Sequence, residues 1–315
     1  MSGSTTFSVV ITSYNYRAYI EQTIESVLAQ TRAPTQLIVV DDGSSDGTPA
    51  LLRERYGSHA QVTLLLGENG GQLAAFLRGL AHCTGDVVCF LDADDYWSPQ
   101  YLDQIGALYD ARPDVDFAFS DLHLFGDEQR RMGFADRPVD LGYTAISTFM
   151  LAQWYGAPTS AISLRRPMAQ RVLDLPERIA RTWKLSADNC LVFGTSVLGG
   201  RKYYLPTGQV HYRIHGKNGW WGQRTRVNEY HNRMRSRALI QHYAASVGLD
   251  ERSLESVKHE FKTKPDPTWR EARRYAMLVR MRRDSWWRNL ERAVSILWPV
   301  WKRRSRIAKE YRGLQ

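Results

Sequence analysis

The segment FLDADDYW, residues 90–97, ends an apolar run that begins at Val87 with three carboxylates, Asp92, Asp94 and Asp95, inside four positions. Clustered carboxylates repel one another. A hard divalent cation relieves that cost by taking one or two of them and completing its shell with phosphate oxygens and water. Asp92 and Asp94 are the candidate metal-side residues, with Mn2+ or Mg2+ as the cation. The same tetrapeptide also fits a solvated aspartate-rich turn, with Asp95 near the N-cap of a following helix. A second cluster, VVDDGSSDGT at residues 39–48, ends another apolar run with acids and glycines. A carboxylate there can accept the imide N–H of a uracil ring, although Asp-Gly and Ser-Asp-Gly by themselves are ordinary turn sequences.

Elements that hold such clusters side by side can be read from periodicity. Residues 7–11 (FSVVI) predict a strand, and Ile20, Ile24, Val27 and Leu28 predict a helix within residues 18–31. Residues 36–40 predict a second strand, residues 49–56 a short helix and residues 61–66 a third strand. Leu73, Leu77 and Leu80 then mark a helix, and residues 86–91 a fourth strand. Strands alternating with helices predict right-handed crossovers and a mostly parallel, Rossmann-like sheet flanked by helices, with ligands at the carboxyl ends of the strands. Thr12 to Asn15, Asp41 to Asp46 and Asp92 to Asp95 all fall at such ends. A fifth strand is predicted over residues 115–120, and residues 121–185 keep several competing readings, so the acceptor side is assigned there by elimination. Beyond residue 220 the pattern is helical, with a capping box from Thr268 to Glu271 and Trp287, Leu290, Val294, Leu297 and Trp301 on one face.

Taken in order, FSVVITSYN, IVVDDGSSDGT, GENGGQLAAFLRGL and CFLDADDYWSPQYL closely resemble the nucleotide-binding half of the family 2 glycosyltransferases, over residues 7–102. The resemblance implies a GT-A fold and an inverting, metal-dependent transfer from a nucleotide-diphosphate sugar, foremost a UDP-sugar, to a hydroxyl acceptor. It implies that Thr12, Tyr14 and Asp42 hold the base, with Asn15 and Asp46 assisting, and that Asp92 and Asp94 are the D-x-D pair with Asp94 on the metal. Residue chemistry agrees, since Tyr14 can stack on a base, Asp42 can accept from it, and a metal at Asp94 can neutralise a leaving diphosphate.

The reaction also needs a general base, because a sugar hydroxyl is a poor nucleophile until its proton is taken. By the same resemblance Asp188, in KLSADNCLVFGTSVLGG, lies where the family places its catalytic aspartate. An aspartate in a first helical turn is also favoured by the helix dipole whatever its function. The segment VHYRIHGKNGWW, residues 210–221, resembles the family's closing segment, so His215 is a candidate for the metal or diphosphate, with Arg213, Lys217 and Asn218 near it. These readings divide the chain into a catalytic domain over residues 1–219, with its nucleotide-sugar part over 1–110 and its acceptor side over 111–219, and a helical region over 220–315.

Charge is uneven. Residues 1–219 hold 19 Lys and Arg against 23 Asp and Glu, whereas residues 220–315 hold 23 against 10. Seven of the ten tryptophans also lie after Gly219, and Trp286, Trp287, Trp298 and Trp301 beside Arg288, Arg292, Lys302, Arg303, Arg304 and Arg306 suit a helix in an anionic bilayer interface, although the same region also fits a cover over a sheet face with its arginines solvated. Peripheral attachment to the inner face of the cell membrane is expected, as is a glycan or lipid-linked acceptor. Nucleic acid is not expected as a partner, because the body lacks a zinc finger, an RNP pattern or an aromatic sheet platform. Three cysteines without C-x-x-C spacing and an N-terminus without signal-peptide features predict a cytoplasmic location. A sugar nucleotidyltransferase is the alternative enzyme, and SYNYRAY does not supply the glycine-rich phosphate loop that it needs. A processive synthase would carry transmembrane helices and a Q-x-x-R-W segment, so single or limited sugar addition is expected.

Overall fold

Every residue of Phe7–Ser13 is buried, which fits a central strand of a sheet covered on both faces. The computed structural model describes residues 4–216, 225–282 and 284–312, with side chains as far as Arg303. Lys217, Asn218 and the side chains of Arg304 and Arg306 lie outside the described residues.

The first half alternates as the periodicity predicts: β1 (Phe7–Ser13), α1 (Ile20–Leu28), β2 (Gln36–Asp41), α2 (Thr48–Tyr56), β3 (Val62–Leu66), α3 (Gln72–Leu80) and β4 (Val87–Asp92). The middle of the chain is more broken. It runs β5 (Tyr96–Trp97), α4 (Tyr101–Ala111), β6 (Phe117–Phe119), β7 (Leu122–Gly126), β8 (Arg130–Met132), β9 (Val139–Gly142) and α5 (Ala145–Leu151). There follow β10 (Ile162–Arg165), α6 (Arg166–Leu173), α7 (Glu177–Ala180), α8 (Asp188–Val197), β11 (Lys202–Tyr204) and β12 (Val210–Ile214). The chain ends in α9 (Arg226–Ser246), α10 (Val257–Lys262), α11 (Trp269–Arg280) and α12 (Trp286–Arg312).

The main sheet has the order β3-β2-β1-β4-β10-β6-β11-β9. Its first half, β3 to β4, is wholly parallel. Beyond β4 it is mixed, because β10 runs antiparallel to both β4 and β6. The parallel order therefore holds where βαβ crossovers continue and stops where they do. A second sheet, β5-β12-β7-β8, stands against the end of β4 and brings β12 to the acidic cluster.

Two cores form. The main one fills both faces of the sheet and includes Leu239, Ile240, Tyr243 and Ala244 of α9. The second gathers Ile146 of α5 with Val257, Tyr275, Leu278, Val279, Ala293 and Ile296. Both bonds of the predicted capping box at Thr268 and Glu271 are present. On α12 the predicted apolar stripe points outward. Trp287 is 65 % exposed and Val294 50 %, while Ala293 and Ile296 make the buried face. Tyr275 and Leu278 of α11 pack against this face, and Leu297 and Val300 of α12 lie partly buried beside it.

Candidate active site

A cleft of about 560 Å³ opens at the carboxyl ends of β1, β2 and β4, where a parallel sheet offers strand-end loops to a ligand. Thr12, Tyr14, Asn15, Asp42, Asp92, Asp94 and Asp188 all line it. Tyr14 is 49 % exposed at its edge, a free aromatic face beside the end of β1. Asn15 takes φ 61°, a left-handed conformation that asparagine tolerates better than most residues. Its amide oxygen accepts from Ser45 N–H at 2.8 Å and its own N–H donates to Ser44 Oγ at 2.8 Å, tying the end of β1 to the loop after β2.

Asp42 is buried and accepts from Gly70 N–H at 3.0 Å, Gly71 N–H at 2.7 Å and the Arg78 guanidinium at 2.5 Å. Its carboxylate thus fixes the glycine loop before α3 and still faces the cleft. Asp46 stands elsewhere. It is not among the residues lining the cleft, and its oxygens accept from Arg17 N–H, Thr48 N–H and the Thr48 hydroxyl at the start of α2. Burial opposes its ionisation, but those hydrogen bonds from Thr48 and Arg17 hold its carboxyl below the usual range. In this geometry the Asp46 carboxylate braces the start of α2.

The three carboxylates after β4 have separate surroundings. Asp95 is buried, takes the Ser160 hydroxyl at 2.5 Å and Arg213 N–H at 2.8 Å, and points into the protein. Asp94 faces His215, whose Nε2 lies 3.0 Å from its Oδ2, and the Tyr16 hydroxyl bonds to it as well. Arg213 steadies that loop by donating to the Asp94 carbonyl at 2.9 Å, with its guanidinium 4.6 Å above the Tyr19 ring. Asp92 accepts from the Gln72 amide at 3.0 Å. Burial first, and then the charges of Asp94 and Asp188, raise the Asp92 carboxyl to about 8, against the hydrogen bonds from Gln72 and Thr159.

Asp188 is the first residue of α8, and burial raises its carboxyl to about 6 against the hydrogen bond from Asn189 N–H at 2.9 Å. It is approached through Ser186, at φ 59°, a second non-glycine residue in the left-handed region on the cleft wall. Gln72 joins the two halves: its amide nitrogen holds Asp92, and its carbonyl oxygen accepts Ala187 N–H at 2.9 Å. Gln72 N–H itself donates to the Lys184 carbonyl at 2.9 Å, so the start of α3 is capped by the segment that leads to Asp188. Gly71, at φ 87°, allows this approach, because a Cβ there would lie 2.7 Å from Lys184 Cα.

The sequence reading missed Gln72, Tyr16, Lys184 and Tyr212, all on the cleft wall. Gln72 carried one signal, a polar first helical residue directly after a glycine pair at a strand end. Lys184 and Tyr212 lie in segments singled out for Asp188 and His215, but nothing local marked their own side chains as facing the cleft. Among the described residues no three His, Cys, Asp or Glu side chains converge as a metal cage.

The sequence profile of Glycosyl transferase family 2 matches residues 8–167, just over half of the 315 residues. An uncharacterized glycosyltransferase of Nostoc sp. is 33 % identical over 218 residues, which is 67 % of this chain and 65 % of that protein. A putative teichuronic acid biosynthesis glycosyltransferase of Bacillus subtilis is 39 % identical over 98 residues, 31 % of this chain and 39 % of the relative. The chain thus matches less than two thirds of the length of either. Among solved structures, S. aureus TarS 1-349 in complex with UDP-GlcNAc superposes with a TM-score of 0.58 at 15 % identity, covering 98 % of this chain and 92 % of that one. The mannosyltransferase PcManGT from Pyrobaculum calidifontis, in complex with GDP-Man and Mn2+, gives 0.50 at 20 % identity over 79 % and 66 %. These two likenesses concern the fold, which is GT-A. The stretch that carries Thr12, Asp42, Asp92 and Asp94 to the cleft is the stretch the profile matches, and the chain belongs to glycosyl transferase family 2.

Proposed function

We propose that the protein is an inverting glycosyltransferase that uses a divalent cation to move a sugar from a nucleotide diphosphate, foremost UDP, to a hydroxyl acceptor. The observation that carries this reading is one cleft lined by Asp94, which His215 contacts from behind at 3.0 Å, on its donor wall and by Asp188 on its acceptor wall. Tyr14 and Asp42, with Thr12 and Asn15, form the base end, where a ring can stack on Tyr14 and donate to Asp42. The UDP-GlcNAc complex of TarS supports a UDP-sugar donor.

The donor set fits a hard cation. Asp94, with His215 beside it and Asp92 near, offers few protein ligands, which suits a Mn2+ or Mg2+ ion that keeps water and diphosphate oxygens in its shell. Such an ion, when bound, neutralises the charge of the departing diphosphate. Asp188 takes the proton of the acceptor hydroxyl as its oxygen bonds to the anomeric carbon. The bond from that carbon to the diphosphate breaks on the opposite face, so configuration inverts. A carboxyl raised to about 6 is ionised at neutral pH yet basic enough to share a proton in the transition state.

The teichuronic acid relative supports an acceptor in polysaccharide biosynthesis, either a glycan or a lipid-linked sugar. Among the described residues no helix is long and apolar enough to cross a membrane. The exposed Trp287, Trp298 and Trp301 of α12 support peripheral contact with the inner face of the membrane, which sedimentation with anionic liposomes tests. Absence of binding at low salt overturns that contact.

For the enzyme, the test is a panel of UDP-, GDP- and dTDP-sugars with and without Mn2+ or Mg2+, read by calorimetry and nucleotide release. One donor is expected to bind in a metal-dependent manner that Asp94→Ala abolishes. If no nucleotide sugar binds under any metal condition, the reading fails.

A further inference from the structure

A second open groove, of about 1300 Å³, runs between α11 and α12, and the chemistry above does not use it. Its α12 wall is apolar: Trp286, Leu290, Val294 and Leu297 recur at helical-turn spacing, the first three being 62 %, 46 % and 50 % exposed. The α11 wall is basic, with Arg270, Arg273, Arg274 and Arg280 on one face. Among the described residues Arg270, Arg273 and Arg280 have no ion-pair partner. Arg274 donates to the Tyr155 hydroxyl at 3.3 Å, and its guanidinium lies 5.4 Å above that ring. An apolar lane beside a row of guanidinium groups complements an amphiphile with a hydrocarbon chain and a phosphate head.

The groove is also close to the cleft. Gln153 lines the groove and Pro158 lines the cleft, so five residues of chain, at most about 18 Å, separate them. Tyr155, which Arg274 engages, lies on that connecting segment. From Trp286 to Leu297 the α12 wall is about 16 Å long at 1.5 Å per residue, a lane for one hydrocarbon chain.

We propose that this groove binds the lipid portion of the acceptor, a single hydrocarbon chain ending in a phosphate or diphosphate. The arginines hold the phosphate while the hydroxyl-bearing end enters the cleft. The proposal rests on the reading of the cleft as a glycosyl-transfer site, and it commits to one lipid phosphate rather than to a bilayer face.

Farnesyl phosphate, kept monomeric, is titrated into the full chain and followed by tryptophan emission and calorimetry, beside farnesol and inorganic phosphate. Saturable binding of farnesyl phosphate is expected, with farnesol and inorganic phosphate each at least tenfold weaker (about 1.4 kcal/mol). Arg273→Glu and Val294→Asp alter exposed positions and are expected to weaken farnesyl phosphate roughly tenfold or more, with UDP-sugar binding unchanged. Absence of saturable binding, or unchanged binding in both variants, overturns the proposal. Binding to phosphatidylglycerol vesicles without binding of monomeric farnesyl phosphate also overturns it and assigns the helices to a bilayer face. A chain that binds farnesyl phosphate but no nucleotide sugar overturns the reading of the cleft instead.

Discussion

Replacing Asp188 by asparagine removes the proposed base while keeping its shape, and the variant's remaining amide oxygen can still accept Asn189 N–H. Loss of general-base catalysis costs about 10²- to 10⁴-fold in kcat, so turnover is expected to fall in that range with UDP-sugar affinity unchanged. The carboxyl, raised to about 6, also sets the pH profile. It is about one-tenth ionised at pH 5 and nine-tenths at pH 7, so wild-type kcat should rise roughly tenfold between them and the residual rate of the variant should not. Stability moves the other way. The ordinary carboxyl value is 3.8, and the folded value is higher, so the folded state of the wild type is penalised as pH rises from about 4 through about 6 and keeps that penalty above. Two units correspond to about 2.7 kcal/mol, and partial exposure at the cleft wall reduces this to about 1–2 kcal/mol. Thermal melts of the unliganded protein should therefore show Asp188→Asn more stable at pH 7 and equal to wild type at pH 4. Steady-state kinetics across pH together with melts decide the matter. Turnover within threefold of wild type, or a variant whose rate keeps the tenfold rise, refutes Asp188 as the base.

Further outcomes follow from the same geometry. His215→Ala should weaken Mn2+-dependent UDP binding roughly 10- to 100-fold and Asp94→Ala should abolish it; calorimetry in which chelation of the metal leaves UDP affinity intact contradicts both. Gln72→Ala removes a bond to Asp92 and leaves Ala187 N–H unpaired, costing about 2–4 kcal/mol in denaturant melts and lowering kcat with UDP affinity kept; unchanged kcat would mean that Gln72 does not position Asp188. Lys264→Met leaves the buried Glu271 carboxylate without its cation 3.5 Å away, a loss of about 3–5 kcal/mol that a lowered Tm should register. An unshifted Tm there would show that the second core tolerates an unpaired carboxylate.

The strand-end side of the cleft was legible in the sequence because its information is local. A strand that ends in LDADD or VVDDG places its carboxylates at the sheet edge by chain direction alone, and alternation with helices fixes which edge. Thr12, Asp42 and Asp94 line the cleft at those ends. Ser-Asp-Gly spells a helix start as readily as a ligand, and in the structure the Asp46 carboxylate accepts from Arg17 and Thr48 at the start of α2. The middle of the chain was opaque for a different reason. Between residues 121 and 185 the elements are short, β8 being three residues and β9 and β10 four each, and their order in the sheets follows long-range pairing that no local periodicity records. On α12 the apolar period was real but its direction was not readable. Apolar residues occur on more than one face of the helix, and packing against α11 buries Ala293 and Ile296 while Leu290 and Val294 stay about half exposed.

Asp188 and the carboxylates after β4 are linked through one short region of backbone. Gln72 N–H and Leu73 N–H at the start of α3 donate to the carbonyls of Lys184 and Trp183, and the Gln72 side chain reaches from Asp92 to Ala187. Asp42 anchors the other side of the same turn through Gly70 and Gly71. A displacement of the nucleotide end therefore acts on the start of α8 through hydrogen bonds rather than through loose packing. An alanine at position 71 would have to accept φ 87° and a contact with Lys184 Cα at 2.7 Å, so it would move α3 away from the 183–188 segment. Misplacement of about 1 Å between reacting groups is enough to cost about a hundredfold in rate. Gly71, which touches neither a carboxylate of the metal side nor the base, is thus as necessary to the cleft as either.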